Sequence, residues 1–499
     1  MGLTPSPRRL SLDDTWPRRD ANGALGAALD IGSLCGHAAP AAAFLDALPD
    51  GVLQSHLLPA LSAAEKQALR ATHPHARELL NAAVTRIRVA AGDLLPPDRP
   101  NAAAPQLGRR FPALRAVEAF DCSDAPVFDE ALISFLQSAG AELLAQLVEF
   151  DVKRCHYVGR GLLDFLRAAC PRLARLSASK WTDNVTLHAI GRLSALQELD
   201  LGESDALDDT GLLPLRHLTA LRVLGLQRCR WIGDAGCRAL AQITSLEELN
   251  LSATDVGALG VAELSVLPRL RRLDLSGSRR VDDDALAAVA GAGALEVLGL
   301  RNTEVHNEGL AWLGSLARLR SLDLGSRFEL DDSGLECLAG AGAAAGRRAA
   351  CGALRSLTAG SFNLTRKPPP GFGASLERLT FGGGFANKNL DLLFPLPRLR
   401  SLHATGIDTV TDRVMRTVSS QTSLEELSLR SGYSLTRDGL MTLHSLANLS
   451  ALSVSSCPAI NDNVLAAFAD RRTAARAGAT GGAAAGAAPV ACGPLCAAA

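Results

Sequence analysis

Aromatic residues and lysines are scarce in this chain of 499 residues. Aromatic residues make up 4% of the sequence, with four Trp and two Tyr. This fraction is low for the compact core of an enzyme and fits an interior built from Leu, Val and Ala. The positive charge is carried almost entirely by arginine, since the lysines are Lys66, Lys153, Lys180, Lys367 and Lys388.

The chain also lacks a strong charge imbalance and a long apolar run. Its formal net charge is −1 and its pI is about 6.8, so nothing favours nucleic acid or an acidic surface as the default partner. No apolar run approaches the roughly 18 residues that a membrane span needs. None of the 11 cysteines forms a C-x-x-C pair, and no signal peptide is recognised. We therefore expect reduced thiols and a cytoplasmic protein, with the nucleus also open.

Motifs for catalysis, metals and cofactors are missing. His73 and His75 flank a proline without Cys or carboxylate partners at ligand spacing. The glycines of 382–384 are not followed by Gly-Lys-Ser/Thr, so they do not form a phosphate loop. No G-x-S-x-G motif and no recognisable Cys/His pair occurs. We expect no enzyme activity, no catalytic residues, no metal and no cofactor.

A leucine pattern, L-x-x-L-x-L, recurs along the chain. Its clearest copies start at Leu196, Leu221, Leu246, Leu270, Leu295 and Leu319, a step of 24 or 25 residues. Weaker copies start at Leu114, Leu147, Leu173, Leu354, Leu376, Leu399, Leu424 and Leu449. One step is longer, and the small-residue run 339–348 accounts for it as a loop. A fixed step in this range is typical of a leucine-rich repeat solenoid.

The second half of each repeat predicts a capped helix. In 207–212 and 330–335 an apolar residue is followed by Asp-Asp, a hydroxyl residue, Gly and Leu. Aspartates before an apolar run of helical period supply acceptors for the free N–H groups of a helix start. Each repeat is thus strand, turn, helix and turn. The predicted fold class is an α/β leucine-rich repeat solenoid, a horseshoe with short parallel strands on its concave face and helices on its convex face.

A third patterned position lies three residues after the last apolar residue of each predicted strand. It holds Cys or a hydroxyl residue, as in Cys122, Cys155, Cys229, Cys457, Ser204, Thr254, Ser278 and Thr303. Such side chains can donate to backbone carbonyls of the neighbouring coil. With the leucines and the I/L-x-D-x-G-L pattern, residues 113–470 resemble the cysteine-containing leucine-rich repeats of F-box/LRR proteins.

Residues 43–90 have a different character and predict about three short helices. Ser62 and Glu65 form a capping box before an apolar run. The segment resembles an F-box, although Pro74 interrupts its second helix and the tryptophan often found there is missing. The matching residues are Leu48, Pro49, Leu53, Leu57, Leu61, Ser62 and Leu69. The alternative is a helical cap that shields the core of the first repeat.

The resemblance implies that this F-box-like segment docks a Skp-type adaptor, with Leu48, Pro49, Leu53, Leu57 and Leu61 as the binding residues. The remaining boundaries come from composition. Residues 1–42 and 471–499 are predicted to be disordered, and 91–112 form a Pro-rich linker between the helical segment and the solenoid. The start of the chain also matches the short, common myristoylation pattern at Gly2, and we infer no lipid from it.

The predicted partner-binding surface is the concave face, because residues that alternate with the strand leucines point there. Its mixed charges imply a polar, charge-patterned partner, and the alternative is a solvated face without a ligand. Trp231, Phe328 and Tyr433 are either aromatic anchors or turn-packing residues, and Trp181 is predicted to be core. The charged and polar residues are Glu198, Asp200, Glu248, Asn250, Arg272, Asp274, Arg301, Asp323, Arg378, His403, Glu426 and Arg430.

Three functions fit these features. The resemblance implies a substrate-recognition subunit of an SCF-type cullin–RING ubiquitin ligase, with a Skp-type adaptor, the cullin complex and a protein target as partners. The first alternative is a non-catalytic leucine-rich repeat scaffold, for example in a ciliary or cytoskeletal assembly, with the N-terminal helices as a cap. A secreted bacterial effector of the F-box/LRR type is the third.

Overall fold

The computed structural model describes residues 84–90, 112–120, 129–138, 140–152, 159–180, 182–339, 352–382, 389–406 and 410–469. Within these residues the chain forms two compact units. The N-terminal unit comprises Met1–Leu207 and Pro214–Arg222, and the C-terminal unit comprises Asp208–Leu213 and Val223–Ala499. Most of the F-box-like segment, all five predicted adaptor-binding residues and most of the small-residue run lie outside the described residues.

The N-terminal unit contains parallel strands in chain order, each paired with the next. The strands are β1 Arg86–Ala90, β2 Ala116–Phe120, β3 Glu149–Asp151, β4 Arg175–Ser177 and β5 Glu198–Asp200. The α-helices between them are α1 Asp129–Ser138, α2 Ala141–Leu144, α3 Arg160–Ala169 and α4 Asn184–Ile190.

The C-terminal unit continues the same plan, with one short strand at the start of each repeat. Its strands are β6 Val223–Gly225, β7 Glu248–Asn250, β8 Arg272–Asp274, β9 Val297–Gly299, β10 Ser321–Asp323, β11 Glu329–Asp331, β12 Ser356–Ala359, β13 Ser361–Asn363, β14 Arg378–Phe381, β15 Ser401–Thr405, β16 Glu426–Arg430 and β17 Ala451–Ser455. Strands β11 and β13 pair with each other, and the others form one parallel sheet in chain order.

Helices connect these strands, and several are 3₁₀ rather than α. The α-helices are α5 Asp234–Leu240, α6 Ala258–Leu264, α7 Asp283–Val289, α8 Asp332–Ala339, α9 Asp412–Val418 and α10 Arg437–Met441. The described 3₁₀ helices are Asp209–His217, which precedes β6, and Glu308–Ser315, Leu390–Leu393 and Thr442–Ser445. Pro214 lies inside the first of these and has no N–H for an α-helical hydrogen bond.

The core consists of the repeated leucines. Leu246, Leu249 and Leu251 are buried, and the strand register places Leu249 beside Leu273 and Leu273 beside Leu298. Each such side chain contributes about 1.5–3 kcal/mol on burial. The parallel strands, the helices between them and this leucine core confirm the predicted α/β leucine-rich repeat solenoid.

The sheet begins earlier than the leucine pattern indicates. Strand β1 lies at the end of the segment predicted to be helical, 43–90, and it pairs in parallel with β2. Val84 and Ile87 are buried like the leucines of later repeats. The sequence signal is Val84…Ile87…Val89, which has the spacing of the repeat with β-branched residues in place of leucine. Beyond this strand, the domain boundaries stay a prediction.

In eight repeats a left-handed residue follows the strand at a fixed place, two positions after its last apolar residue. Gly and Asn adopt positive φ readily, but most residues here are of other types. The turn is held by backbone hydrogen bonds to the next repeat, such as the Ala253 N–H to the Ser276 carbonyl at 2.7 Å. These residues are Lys180, Glu203, Arg228, Ala253, Gly277, Asn302, Ser431 and Ser456.

Candidate functional site

The first aspartate of each Asp-Asp pair caps its own helix, as predicted. Asp282 accepts a hydrogen bond from the Ala285 N–H at 3.1 Å. Asp331 accepts from the N–H groups of Ser333 at 2.9 Å and Gly334 at 3.0 Å. These carboxylates satisfy free N–H groups at a helix start.

The second aspartate links neighbouring repeats, and its prediction as a cap of its own helix is wrong. Asp209 accepts from the Gly233 N–H at 2.7 Å, and Asp283 accepts from the His306 N–H at 2.8 Å, each one repeat further on. Asp234 accepts from the next repeat as well. The sequence shows an acidic residue at a helix start but not which coil supplies the donor.

Three of the hydroxyl residues after the strands donate to backbone carbonyls, whereas the buried Ser204 hydroxyl has no hydrogen-bond partner among the described residues, contrary to the prediction. Thr254 donates to the Leu251 carbonyl at 2.6 Å, and Thr303 donates to the Leu300 carbonyl at 2.8 Å. Ser278 reaches the carbonyl of Leu251 in the preceding repeat at 3.0 Å. The predicted donation between coils therefore holds for Ser278 and not for the two threonines.

Burial raises the pKa of two core cysteine thiols, Cys170 and Cys237. Burial raises the pKa of the Cys170 thiol to about 12, and burial with nearby carboxylates raises the pKa of Cys237. A raised thiol pKa lowers the thiolate fraction at a given pH. For Cys170 this fraction is roughly a thousandth or less at about pH 8.5, the pKa of an ordinary cysteine.

We expect iodoacetamide at about pH 8.5 to leave Cys170 and Cys237 unlabelled in the native protein and to label both fully in guanidinium. Half-buried Cys337 is the internal comparison and should be labelled faster than either. The readout is peptide mass spectrometry over time. Rapid native labelling of Cys170 would contradict its burial.

Four predicted binding residues on the strands have a structural task. Asp200, Asn250, Asp274 and Asp323 each accept a hydrogen bond from the backbone N–H two residues later, at 2.9–3.1 Å. This bond closes the turn after the strand. All four are half-buried, so only part of each side chain faces a partner.

Other predicted residues are more exposed and pair along the sheet. Arg272 lies 3.5 Å from Glu248 on the neighbouring strand, and Arg175 lies 3.9 Å from Glu198. Arg378 is exposed, and within the described residues no carboxylate forms an ion pair with it. This row of strand positions therefore presents charged groups outward, as the sequence analysis predicts.

Two predicted arginines lie at the carboxyl ends of strands: Arg301 follows strand β9, and Arg430 is the last residue of strand β16. The Arg301 Nε donates to Asp323 at 2.6 Å, and this hydrogen bond raises the pKa of the arginine. The Arg430 Nε lies 3.5 Å from the Ser455 hydroxyl. Both side chains are exposed, and they extend the charged surface towards the turns.

His403 and Glu426 meet at a serine. The Ser401 Oγ lies 3.1 Å from His403 Nε2 and 2.9 Å from Glu426 Oε2. The hydroxyl therefore lies between the imidazole and the carboxylate. Nucleophile activation needs the imidazole in the middle, so this cluster has the wrong order for a catalytic triad.

Two aromatic candidates are exposed. Trp231 has a relative exposure of 69% and Tyr433 of 58%, while Phe328 is half-buried. Exposed Trp and Tyr are residue types that dominate protein interfaces, so these two remain anchor candidates. Trp181 lies outside the described residues.

A further row of charges lies outside the predicted binding residues. It follows the first leucine of eight successive repeats in the C-terminal unit, from Leu246 to Leu424, and we call it the edge row. Its members are Glu247, Arg271, Glu296, Arg320, Arg355, Glu377, Arg400 and Glu425. Backbone hydrogen bonds of 2.8 Å tie each member to the next, as from the Arg400 N–H to the Glu377 carbonyl. The sequence signal is an Arg or Glu directly after the first leucine of these eight repeats.

Opposite charges alternate along most of the edge row and form ion pairs. Glu296 lies 3.9 Å from Arg271 and 3.5 Å from Arg320. Arg355 lies 3.4 Å from Glu377, and Arg400 lies 3.5 Å from Glu425. Exposed pairs of this kind are each worth about 0–1 kcal/mol, so they contribute little to stability.

Two kinds of site are missing from the part of the chain that the structure describes. No group of three or more His, Cys, Asp or Glu side chains there could hold a metal ion. Among the described helices, none has both the length and the apolar character that a membrane crossing requires.

The leucine-rich repeat family model matches residues 217–241, and no curated protein matches the sequence. Among solved structures, an internalin (inlF) from Listeria monocytogenes is 16% identical, covering 76% of this chain and 88% of that chain with a TM-score of 0.39. A leucine-rich repeat protein from Leptospira interrogans is 16% identical, covering 66% and 95% with a TM-score of 0.36. An internalin C2 (inlC2) from Listeria monocytogenes is 21% identical, covering 46% of this chain and 87% of that chain with a TM-score of 0.33. All three TM-scores are below 0.5. The repeat match at residues 217–241 and the repeat geometry support an α/β leucine-rich repeat solenoid fold.

Proposed function

We propose that this protein is a non-catalytic protein-interaction scaffold that binds its partner on the strand side of the repeats. The observation that carries the proposal is the regular set of outward charges on the C-terminal unit. Neighbouring parallel strands lie about 4.8 Å apart, so each repeat adds a charged group at a fixed spacing. Solenoid repeats use such extended surfaces for protein binding.

Site-specific photo-crosslinking in cells tests the location of the partner. A photoreactive amino acid at Arg272, on the strand side, should give protein adducts. The same group at Leu259 should give few, although Leu259 is 74% exposed on helix α6. Adducts from Leu259 alone would place the partner on the helix side and contradict the proposal.

We infer further that the chain is the substrate-recognition subunit of an SCF-type cullin–RING ubiquitin ligase. The support is the order of an F-box-like segment followed by repeats of the cysteine-containing type. Such a subunit makes no bonds itself. It raises the local concentration of target lysines near the conjugating enzyme.

Adaptor binding by the full chain tests this function. Leu48→Ala with Pro49→Ala should abolish co-precipitation of a Skp-type adaptor, because these residues match the adaptor-binding positions of the family. Leu259→Ala is the control and should retain the adaptor. A wild-type chain that binds no Skp-type adaptor would rule out the ligase function and leave the scaffold function intact.

Strand β1 favours a second role for the segment before it. This strand is the first in the strand order of the N-terminal unit, so it forms an edge of the sheet. The unpaired backbone N–H and C=O groups of an edge strand favour unwanted pairing with other chains unless another segment covers them. Residues 43–83 immediately precede it and could cap this edge. Leu53→Asp with Leu57→Asp should then speed amide hydrogen exchange in β1 and β2. If the segment binds the adaptor but does not cap the sheet, the same double variant should lose adaptor binding and leave amide hydrogen exchange in β1 and β2 unchanged.

A further inference from the structure

The alternation of charges in the edge row fails at one junction. Arg320 and Arg355 occupy adjacent positions there, since the Arg355 N–H donates to the Arg320 carbonyl at 2.8 Å and β10 pairs with β12. At every other step between Glu247 and Glu425, neighbours have opposite signs. Like charges on neighbouring strands are destabilising, so this junction costs the free protein stability.

The ion pairs leave this junction positive. Arg320 pairs with Glu296, which also lies near Arg271, and Arg355 pairs with Glu377. Each of the two junction arginines thus pairs away from the other. Both remain more than half exposed, with side-chain exposures of 58% and 55%.

A third arginine adds to the positive charge. Strand β14 pairs with β12 so that Arg378 lies beside Ser356. Arg378 is exposed and, within the described part of the chain, forms no ion pair with a carboxylate. Arg271 and Arg320 both pair with Glu296, and Arg355 pairs with Glu377, so Arg378 adds a positive charge that no described carboxylate pairs with. The nearby Asp323 is already paired with Arg301.

Hydroxyl residues occupy neighbouring positions on the strands that carry or follow these arginines. Ser321 and Ser356 are neighbours in the register of β10 and β12, and Thr358 is a neighbour of Thr380 in that of β12 and β14. All four are half-buried on the strand side. Serine and threonine hydroxyls donate hydrogen bonds to oxyanions, and arginine binds carboxylates with charge-assisted hydrogen bonds.

We propose that Arg320, Arg355 and Arg378 form an arginine patch that binds an acidic, extended segment of a partner protein. Carboxylates at alternate positions of an extended peptide lie about 6.6 Å apart, which is wider than the strand spacing of about 4.8 Å, and the long arginine side chains can span the difference. Partner carboxylates would relieve the repulsion at the junction. The glutamates that flank the patch disfavour a nucleic acid, whose phosphates would approach them. This inference rests on the proposed scaffold function and adds the place and chemistry of binding.

Fluorescence anisotropy with the full chain tests the patch. The probe is a labelled peptide in which Glu alternates with Ser, and the comparison peptide carries Lys in place of Glu. The Glu peptide should bind, its affinity should fall with added NaCl, and the Lys peptide should not bind. Arg355→Gln with Arg378→Gln should weaken binding about tenfold, the sum expected for two exposed ion pairs.

Arg400→Gln is the matched control, because Arg400 belongs to the same edge row, has a similar exposure and pairs with Glu425. It should change the affinity less than about twofold, and thermal melts should show that all variants fold. Absence of binding by the wild type, equal effects of Arg400 and the patch variants, or tighter binding of single-stranded DNA would each overturn the proposal. If one of these results is found but a photoreactive group at Arg272 still gives protein adducts, the arginine patch is ruled out and the proposed scaffold function is retained.

Discussion

Leu298→Asp is expected to unfold the repeats around strand β9. Leu298 is fully buried, and its neighbours in the register are Leu273 on β8 and Leu322 on β10. A carboxylate there would be surrounded by leucine side chains without a positive partner. The expected loss in the free energy of unfolding is about 4 kcal/mol or more, measured by urea denaturation.

Val297→Asp provides the control within the same strand. Val297 is half-buried on the opposite side of the strand and lies beside Arg272 in the register. A carboxylate there stays hydrated and faces an arginine, so the change should be within about 0.5 kcal/mol. Equal destabilisation by the two variants would mean that the assigned faces of the strand are wrong.

Gly309→Ala should break the contact between neighbouring repeats. A Cβ at Gly309 would lie 2.1 Å from the Asp283 Oδ1, the atom that accepts the His306 N–H. Either the carboxylate moves and this hydrogen bond is lost, or the two helices separate. We expect a loss of about 2–3 kcal/mol in the free energy of unfolding.

Gly293→Ala is the matched control, because a Cβ there meets no atom within 4 Å. Its effect should be within about 0.5 kcal/mol and towards stabilisation, since alanine restricts the unfolded chain. Adding Asp283→Ala to Gly309→Ala should recover part of the loss, because the clashing oxygen is removed. Strictly additive losses would show that the glycine and the aspartate are not coupled.

The Gly309 contact is one of a series. Added Cβ atoms at Gly236, Gly260 and Gly439 would lie 2.5, 2.7 and 1.9 Å from the second aspartate of the preceding repeat. The sequence shows this as I/L-x-D-x-G-L, with Asp and Gly in the same repeat. In the structure, the aspartate of one repeat meets the glycine of the next. The pattern is local in the sequence, but its physical cause is the close stacking of coils.

The candidate surface was only partly predictable for a similar reason. Alternation within a strand places Glu248 and Arg272 outward, and the sequence is sufficient for that. It does not show that the Asn250 and Asp274 side chains turn back to their own backbone. The edge row is visible in the sequence as an Arg or Glu after the first leucine of eight successive repeats, but its alternation matters only once the strands are placed side by side.

By itself, the sequence determined the repeat, the leucine core and the strand and helix of each coil, because burial of apolar side chains at a fixed period depends on local order alone. The tertiary structure decided what joins one coil to the next. It gave the second aspartates their donors, and it added strand β1, whose Val and Ile lack the leucine signature. It also brought Arg320 and Arg355 together, because the strands pair in chain order across any intervening loop. The register between strands is thus the physical reason why two arginines far apart in the sequence meet on one surface.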